Sequence, residues 1–321
     1  MKMKRLAWAG WMAVCLAGCG RPAPLEPVPA AAASVDPGPA LAAQVSGARA
    51  LAEVRDFVAL GSRDAGTPGA EKAAYYLLRR LQDLGVEAEI QEFREPSPRG
   101  DTVFRNVLGR IPGTGPRIVL FGSHYDTKSG IAGFEGANDS GSSTGLLLEL
   151  ARVFRAHGPL PAEIRFAFFD GEECQVAYGP QDGFHGSEHL AETMEADGSL
   201  ANVAAMILLD MVGDRDLTVT LPVNSSPALK ALAFEAAHAE GTRRHFQLFP
   251  ASIGDDHEAF LRRGVPAIDL IDFQFGSAPG RNDYWHTPAD TLDKLSAASL
   301  ETVGRVAARM AAAAAQGAEE K

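Results

Sequence analysis

The chain has 321 residues, 41 acidic against 30 basic side chains, a formal charge of −11 at neutral pH, and 46% apolar and 22% charged residues. This is the composition of a globular chain and not of a collagenous or disordered one, and its acidic balance excludes nucleic acid as a partner, because a polyanion is held by clustered Lys and Arg. Cys15 and Cys19 lie near the start and only Cys174 in the body of the chain, which excludes a disulfide framework.

Lys2, Lys4 and Arg5 precede an apolar run from Leu6 to Ala17. The run is shorter than the roughly 20 residues a membrane-spanning helix needs, so residues 1–18 are expected to be a secretory signal. Leu16-Ala17-Gly18-Cys19 is similar to a bacterial lipobox, which implies an exported lipoprotein held to a membrane by a lipid on Cys19. Gly20 stands where an acidic residue would favour inner-membrane retention, so the outer membrane or periplasmic face is expected. From Gly20 to Pro39 the chain is rich in Pro, Ala and Gly, which cannot pack a core, and residues 19–40 read as a spacer. Residues 41–321 are expected to be one catalytic domain.

Within that domain, helical spacing of apolar residues predicts helices over 40–60 and 70–84, the second closed by Gly85. Runs favouring β-structure follow at 86–93, 103–111, 117–121, 163–169, 204–209, 217–221 and 265–271, with helical patterns at 141–156, 227–239, 258–263 and 297–314. Strands separated by helices of this length predict a three-layer αβα sandwich around a mixed, mostly parallel sheet, with the first two strands antiparallel.

Several strands run into metal-binding chemistry. Ile118–Phe121 leads to His124 and Asp126, Phe166–Phe169 to Asp170, Glu172 and Glu173, and Ile207–Leu209 to Asp210; the last strand leads through a loop to His286. Asp139 precedes a Gly/Ser-rich helix start. Imidazoles and carboxylates converging on the carboxyl edge of a sheet form a donor set for zinc, and a cation removes the cost of burying carboxylates side by side. In the Glu172-Glu173 pair, adjacent side chains at a strand end are expected to point to opposite sides, so that one ligates while the other faces substrate.

The ordered motifs HYDT, GANDSGS, FFDGEE, LLDMVG and WHTPADTLDK resemble those of the zinc aminopeptidases of metallopeptidase family twenty-eight and the related animal-type glutaminyl cyclases. The resemblance implies that Asp139, Glu173 and His286 hold one zinc, and that His124 and Asp210 join Asp139 around a second in the peptidases. It also implies that Glu172 is the acid/base and that Asp126 orients His124.

Three features are similar to the cyclases. CQVAYGPQDGFHGSEHLA follows DGEE and places Tyr178 where an aromatic wall is expected, GDDHEAFLRRGVP carries Asp255, and Trp285 precedes His286. In the cyclases the residue matching Asp255 shares a proton with the one matching Asp210, turning it from metal so that one zinc is bound. The tail HTPADTLDKLS and the long stretch 272–283 are commoner among the peptidases. The reading favoured is a glutaminyl-peptide cyclotransferase acting on peptide or protein N-termini, with release of ammonia; the alternative is a di-zinc aminopeptidase.

Ser143, in GSSTG, formally matches a serine-hydrolase elbow but lacks the preceding buried strand, and an anchored binding protein without activity would be expected to have lost a ligand or the base. His185 and His189 are expected at a solvated helix start, and Cys174, with no basic neighbour in sequence, as packing; the residues alone suggest a satisfied, partly buried His257, and the resemblance implies a structural or pocket-lining one. His157, His238 and His245 are expected to have no role.

Overall fold

Val119, Phe121, Ile164, Phe166, Phe168, Ala205, Ile207 and Leu209 share one buried cluster, whereas the intervening Ile118, Leu120, Ala167, Phe169, Met206 and Leu208 share another. That period of two is the signature of strands whose successive side chains leave opposite faces, with both faces covered.

The computed structural model describes residues 36–317. Its strands are β1 (Glu87–Ser97), β2 (Gly100–Ile111), β3 (Ile118–His124), β4 (Glu163–Phe169), β5 (Val203–Asp210), β6 (Val219–Leu221), β7 (Phe246–Leu248) and β8 (Ala267–Ile271). They form one sheet in the order β1-β2-β4-β3-β5-β8-β6-β7. β4, β3, β5 and β8 are mutually parallel; the β1–β2 hairpin joins antiparallel to β4, and β6 joins antiparallel to β8. The helices are α1 (Gly38–Gln44), α2 (Gly47–Val58), α3 (Pro68–Asp83), α4 (Ser143–His157), α5 (His185–Ala196), α6 (Pro227–Ala239), α7 (His257–Leu261) and α8 (Ala297–Gln316). Side chains of α1–α4, α6 and α8 enter the larger core, and those of α5 and α7 the smaller. The fold is the expected αβα sandwich.

Boundaries moved where tertiary contacts outweigh local pattern. The helix predicted over 40–60 is two helices, because Ser46 donates its N–H to the buried Glu149 Oε1 at 2.9 Å while its hydroxyl caps α2. Next to it, a Cβ on Gly47 would lie 1.8 Å from the Ala297 carbonyl oxygen, so the chain turns where α8 crosses it. α1 begins at Gly38, inside the Pro/Ala-rich stretch, and buries Leu41 and Ala42. The three-residue β7, of which only Phe246 is buried, carries too little pattern to be read from sequence. The signal, Cys19 and most of the spacer fall outside the described residues. No described helix is long and apolar enough to cross a membrane.

α4 lies against α2 at Gly145, where a Cβ would meet Val54 N at 2.7 Å and Ala50 O at 2.9 Å. These are backbone atoms that cannot rotate away. Gly145→Val is therefore expected to cost about 1–3 kcal/mol and lower Tm by about 5 °C in a thermal melt; an unchanged Tm would mean that the helices are not in van der Waals contact there.

Candidate active site and metal centre

His124 ends β3, Asp210 ends β5, and Glu172 and Glu173 follow β4, so three neighbouring parallel strands deliver donors to one edge. Asp139 comes from the irregular turn Ala137–Ser142 that leads into α4, and its peptide bond to Ser140 is cis. Only 2% exposed, Asp139 reaches two histidines with its two oxygens: Oδ1 is 3.1 Å from His124 Nε2 and Oδ2 is 3.3 Å from His286 Nε2. Around it, Asp210 Oδ1 is 3.3 Å from His124 Nε2, and Glu173 Oε1 is 2.9 Å from His286 Nε2. Two triads result, His124/Asp139/Asp210 and Asp139/Glu173/His286, with Asp139 common to both. Met211 and His286 adopt positive φ, 46° and 53°. For a residue with a Cβ this conformation costs on the order of 1–2 kcal/mol, which surrounding contacts must hold in place.

Residues with no place in the sequence reading support this arrangement. Asp290 accepts the N–H of Asn138 at 2.7 Å and of Asp139 at 3.1 Å, fixing the turn that presents the shared carboxylate. Arg63 is fully buried and donates to the carbonyls of Gly61, Glu135, Gly136 and Tyr125, tying the segment before α3 to the same turn. Arg63 lies in the turn-forming stretch GSRDAGTPG and Asp290 in WHTPAD, and a charged residue inside such sequence was the available signal. Asp126 has a second role: its Oδ1 is 3.5 Å from His124 Nδ1, and its carboxylate accepts the N–H of Glu172 at 3.2 Å and of Glu173 at 3.1 Å.

The expected divergence of Glu172 and Glu173 does not occur. Gly171, at φ 74°, ends the extended conformation, so strand alternation stops before the pair. Both side chains line one cavity of about 370 Å³, together with Asp139, Asp210, Asp255 and His286 and an apolar wall that includes Ile271, Phe273 and Trp285. The Tyr178 hydroxyl donates to Glu173 Oε2 at 3.0 Å and stands 3.5 Å from Glu172 Oε2. Trp285 stacks on His286, ring centres 3.9 Å apart. The loop bearing Tyr178 is gathered by Asp182, which accepts the N–H of Gln175, Val176 and Ala177 at 2.5, 2.9 and 2.8 Å.

The electrostatics call for a cation. Burial pushes the carboxyl of Glu172 well up, and burial with Asp139 nearby raises Glu173. Burial raises Asp210 and, with Asp210 and Asp256 beside it, pushes Asp255 well up; burial and the Asp139 charge move Asp290 to about 8. Burial opposes a charge on His286, but Asp139 and Glu173 outweigh it and hold its pKa at about 9. Buried Asp139 Oδ2 and Asp210 Oδ1 have no hydrogen-bond partner. A divalent ion among these donors would satisfy the free oxygens and displace the imidazolium protons, so both donor sets fit zinc.

Other expectations fare differently. Asp255 lines the cavity, its Oδ1 accepts the N–H of Asp256 at 2.6 Å, and Asp210 lies near enough to help push its carboxyl up. His257 is wholly buried and both ring nitrogens lack partners, so it is neither partly buried nor satisfied; burial lowers its pKa to about 4. His185 is buried rather than solvated, stacked on Phe104 at 4.2 Å and 2.7 Å from Glu95 Oε2, because β1 runs further than its pattern and covers the start of α5. Ser143 is buried, its hydroxyl committed to the Ser140 carbonyl and the Ser123 hydroxyl, which leaves no free nucleophile. Cys174 has a basic neighbour after all, Lys128, whose Nζ is 2.7 Å from its sulfur.

The model of peptidase family M28 matches residues 106–311. The chain belongs to this family. The chain is 28% identical over 271 residues to a glutaminyl-peptide cyclotransferase of Drosophila melanogaster, covering 76% of this chain and 75% of that protein. Its fold matches the crystal structure of an Acidobacteriales bacterium glutaminyl cyclase with a TM-score of 0.79 at 34% identity, over 85% of this chain and 96% of that one. It also matches a Zn-dependent exopeptidase from Parabacteroides distasonis with a TM-score of 0.74 at 25% identity, over 84% and 98% of the two chains. This is an enzyme of the M28 and glutaminyl cyclase superfamily, and the family together with the donor clusters suggests zinc.

Asp290 touches none of the donor atoms, yet it fixes the residue both triads share. Asp290→Ala is expected to weaken zinc binding about 10–100-fold in competition with a chelator, with secondary structure retained; unchanged affinity would show that the turn keeps its shape unaided.

Proposed function

We propose that the protein is a zinc-dependent glutaminyl-peptide cyclotransferase, converting an N-terminal glutamine to pyroglutamate with release of ammonia. The observation that carries this reading is the Tyr178- and Trp285-walled cavity in which Glu172 stands beside the Asp139/Glu173/His286 triad. The similarity to glutaminyl cyclases over most of the chain supports it.

Asp139, Glu173 and His286 would hold the ion. Zinc bound there supplies a Lewis acid for the γ-carbonyl of the glutamine. Trp285, fixed against His286 and Phe273, offers a flat apolar wall to the glutamine side chain. Asp210 and Asp255 accept hydrogen bonds from the α-amino group and hold its nitrogen toward that carbonyl. Glu172 takes a proton from this nitrogen as the N–C bond forms and returns it to the amide nitrogen, so that the C–N bond breaks and ammonia leaves. Burial raises the basicity of Glu172, as a group that accepts and then donates requires.

A second reading has a specific observation behind it. Asp210 Oδ1 faces His124 Nε2 at 3.3 Å and so completes the second triad, which suits a di-zinc aminopeptidase in which Glu172 serves a water. The two readings separate in one assay series. The cyclase releases ammonia from a Gln-initiated peptide, leaves a Leu-initiated substrate intact and holds one zinc per chain; free leucine and two zincs would establish the peptidase instead. Under either reading Glu172→Gln should lower kcat by at least about 10²-fold with zinc content unchanged, whereas loss of zinc would make Glu172 a ligand.

We further propose that the chain is exported and held to a membrane by a lipid on Cys19. Cys19→Ser should move the protein from the membrane to the soluble fraction of its host, and retention with the membrane would require another anchor.

A further inference from the structure

Besides His286, the rings that line the cavity are those of Tyr178, Phe249, Phe273 and Trp285. Tyr178 already stacks on Phe184, centres 5.0 Å apart, and has the Lys128 ammonium 5.3 Å over its ring, while Trp285 lies against His286. Phe273 meets Trp285 at 5.3 Å and Phe249 at 6.2 Å, both at steep angles. Phe249 ends this series. Among the described residues its one aromatic neighbour is Phe273, and it is only half-buried.

The wall that carries Phe249 is fixed by its own backbone. Phe249 donates its N–H to the Leu221 carbonyl at 2.8 Å, and Val223 donates to the Ala251 carbonyl at 3.1 Å. The Asn224 side chain accepts the N–H of Ile253 at 3.3 Å and donates to its carbonyl at 2.9 Å. Phe273 donates its N–H to the Thr220 hydroxyl at 3.2 Å. Residues 249–254 are Phe-Pro-Ala-Ser-Ile-Gly and carry no charge, whereas every charged side chain lining the cavity belongs to the two triads or is Glu172 or Asp255. Val223 and Leu248, which adjoin this wall, are exposed, as are Val176 and Tyr178 on the loop that Asp182 gathers. Single exposed apolar residues are ordinary on a protein surface, but here they gather around one opening.

We propose that Phe249 and Phe273 form a specificity subsite for the side chain that follows the N-terminal glutamine, and that it takes a large apolar or aromatic residue; this rests on the cyclase reading above. In cyclisation the glutamine side chain folds back on its own α-amino group, so both reacting groups stay at the metal end. The α-carbonyl is then the remaining heavy substituent of the glutamine Cα and leads the peptide outward. The next side chain meets the uncharged wall. An aromatic ring there gains contact with the free surface of Phe249 and leaves water. A carboxylate there finds no counter-charge in the wall and faces the carboxylates of the inner end.

The experiment measures kcat/KM of the zinc-loaded enzyme for forming pyroglutamyl product, read by mass spectrometry, from the amides of Gln-Phe, Gln-Ala and Gln-Glu. Expected is a preference for Gln-Phe over Gln-Ala of about 10-fold, carried by KM, with Gln-Glu below Gln-Ala. Phe249→Ala should lower the ratio of Gln-Phe to Gln-Ala by at least about 3-fold. The wild-type series needs no substitution, so a variant that fails to fold leaves the test standing. Equal values across the wild-type series, a preference for Gln-Glu, or an unchanged ratio in folded Phe249→Ala enzyme would overturn the subsite and leave the cyclase reading in place. Free glutamine without pyroglutamyl product from all three would overturn that reading and the subsite together.

Discussion

The site is organised around one carboxylate divided between two imidazoles. Asp139 is almost wholly buried, and each of its oxygens faces a different histidine. An isolated carboxylate at that depth would be protonated, but here two potential cations outweigh burial and hold its pKa low. Much of the surrounding structure fixes the turn that makes this possible. Asp290 takes the amides of Asn138 and Asp139, Arg63 takes the carbonyls of Glu135 and Gly136 just before the turn, and α4 begins immediately after it. The positive φ of Met211 and His286 lies in residues that place donors around the same oxygens.

The sheet contributes direction. Parallel neighbours β4, β3 and β5 end at one edge, so residues distant in sequence arrive side by side without the loops having to be long. The two cores are unequal: six helices pack over one face and only α5 and α7 over the other. Both strand runs and loop donors are positioned by that packing, which couples the geometry of the site to the stability of the domain.

Much of this was legible in the sequence because it is local. The continuous apolar runs in 166–169 and 204–209 mark strands covered on both faces, and the polar residues at their ends stand out against them. What was not legible depends on partners brought in from far away or on backbone conformation. Asp290 acts 151 positions from Asp139, and Lys128 meets Cys174 across 46. Glu172 and Glu173 share a cavity only because Gly171 leaves the extended region, and the approach of Asp210 to His124 is likewise encoded by no spacing. The helix start at His185 was readable, but its burial was not, since it requires knowing how far β1 extends.

The loop carrying Tyr178 illustrates a division of labour between backbone and side chain. Asp182 collects three successive amides, so the loop is held through its main chain and not by the aromatic side chain alone. The wall of the cavity is thus a frame with a replaceable face. A lineage could trade Tyr178 for another ring, altering what the enzyme accepts, without having to re-evolve the frame that presents it.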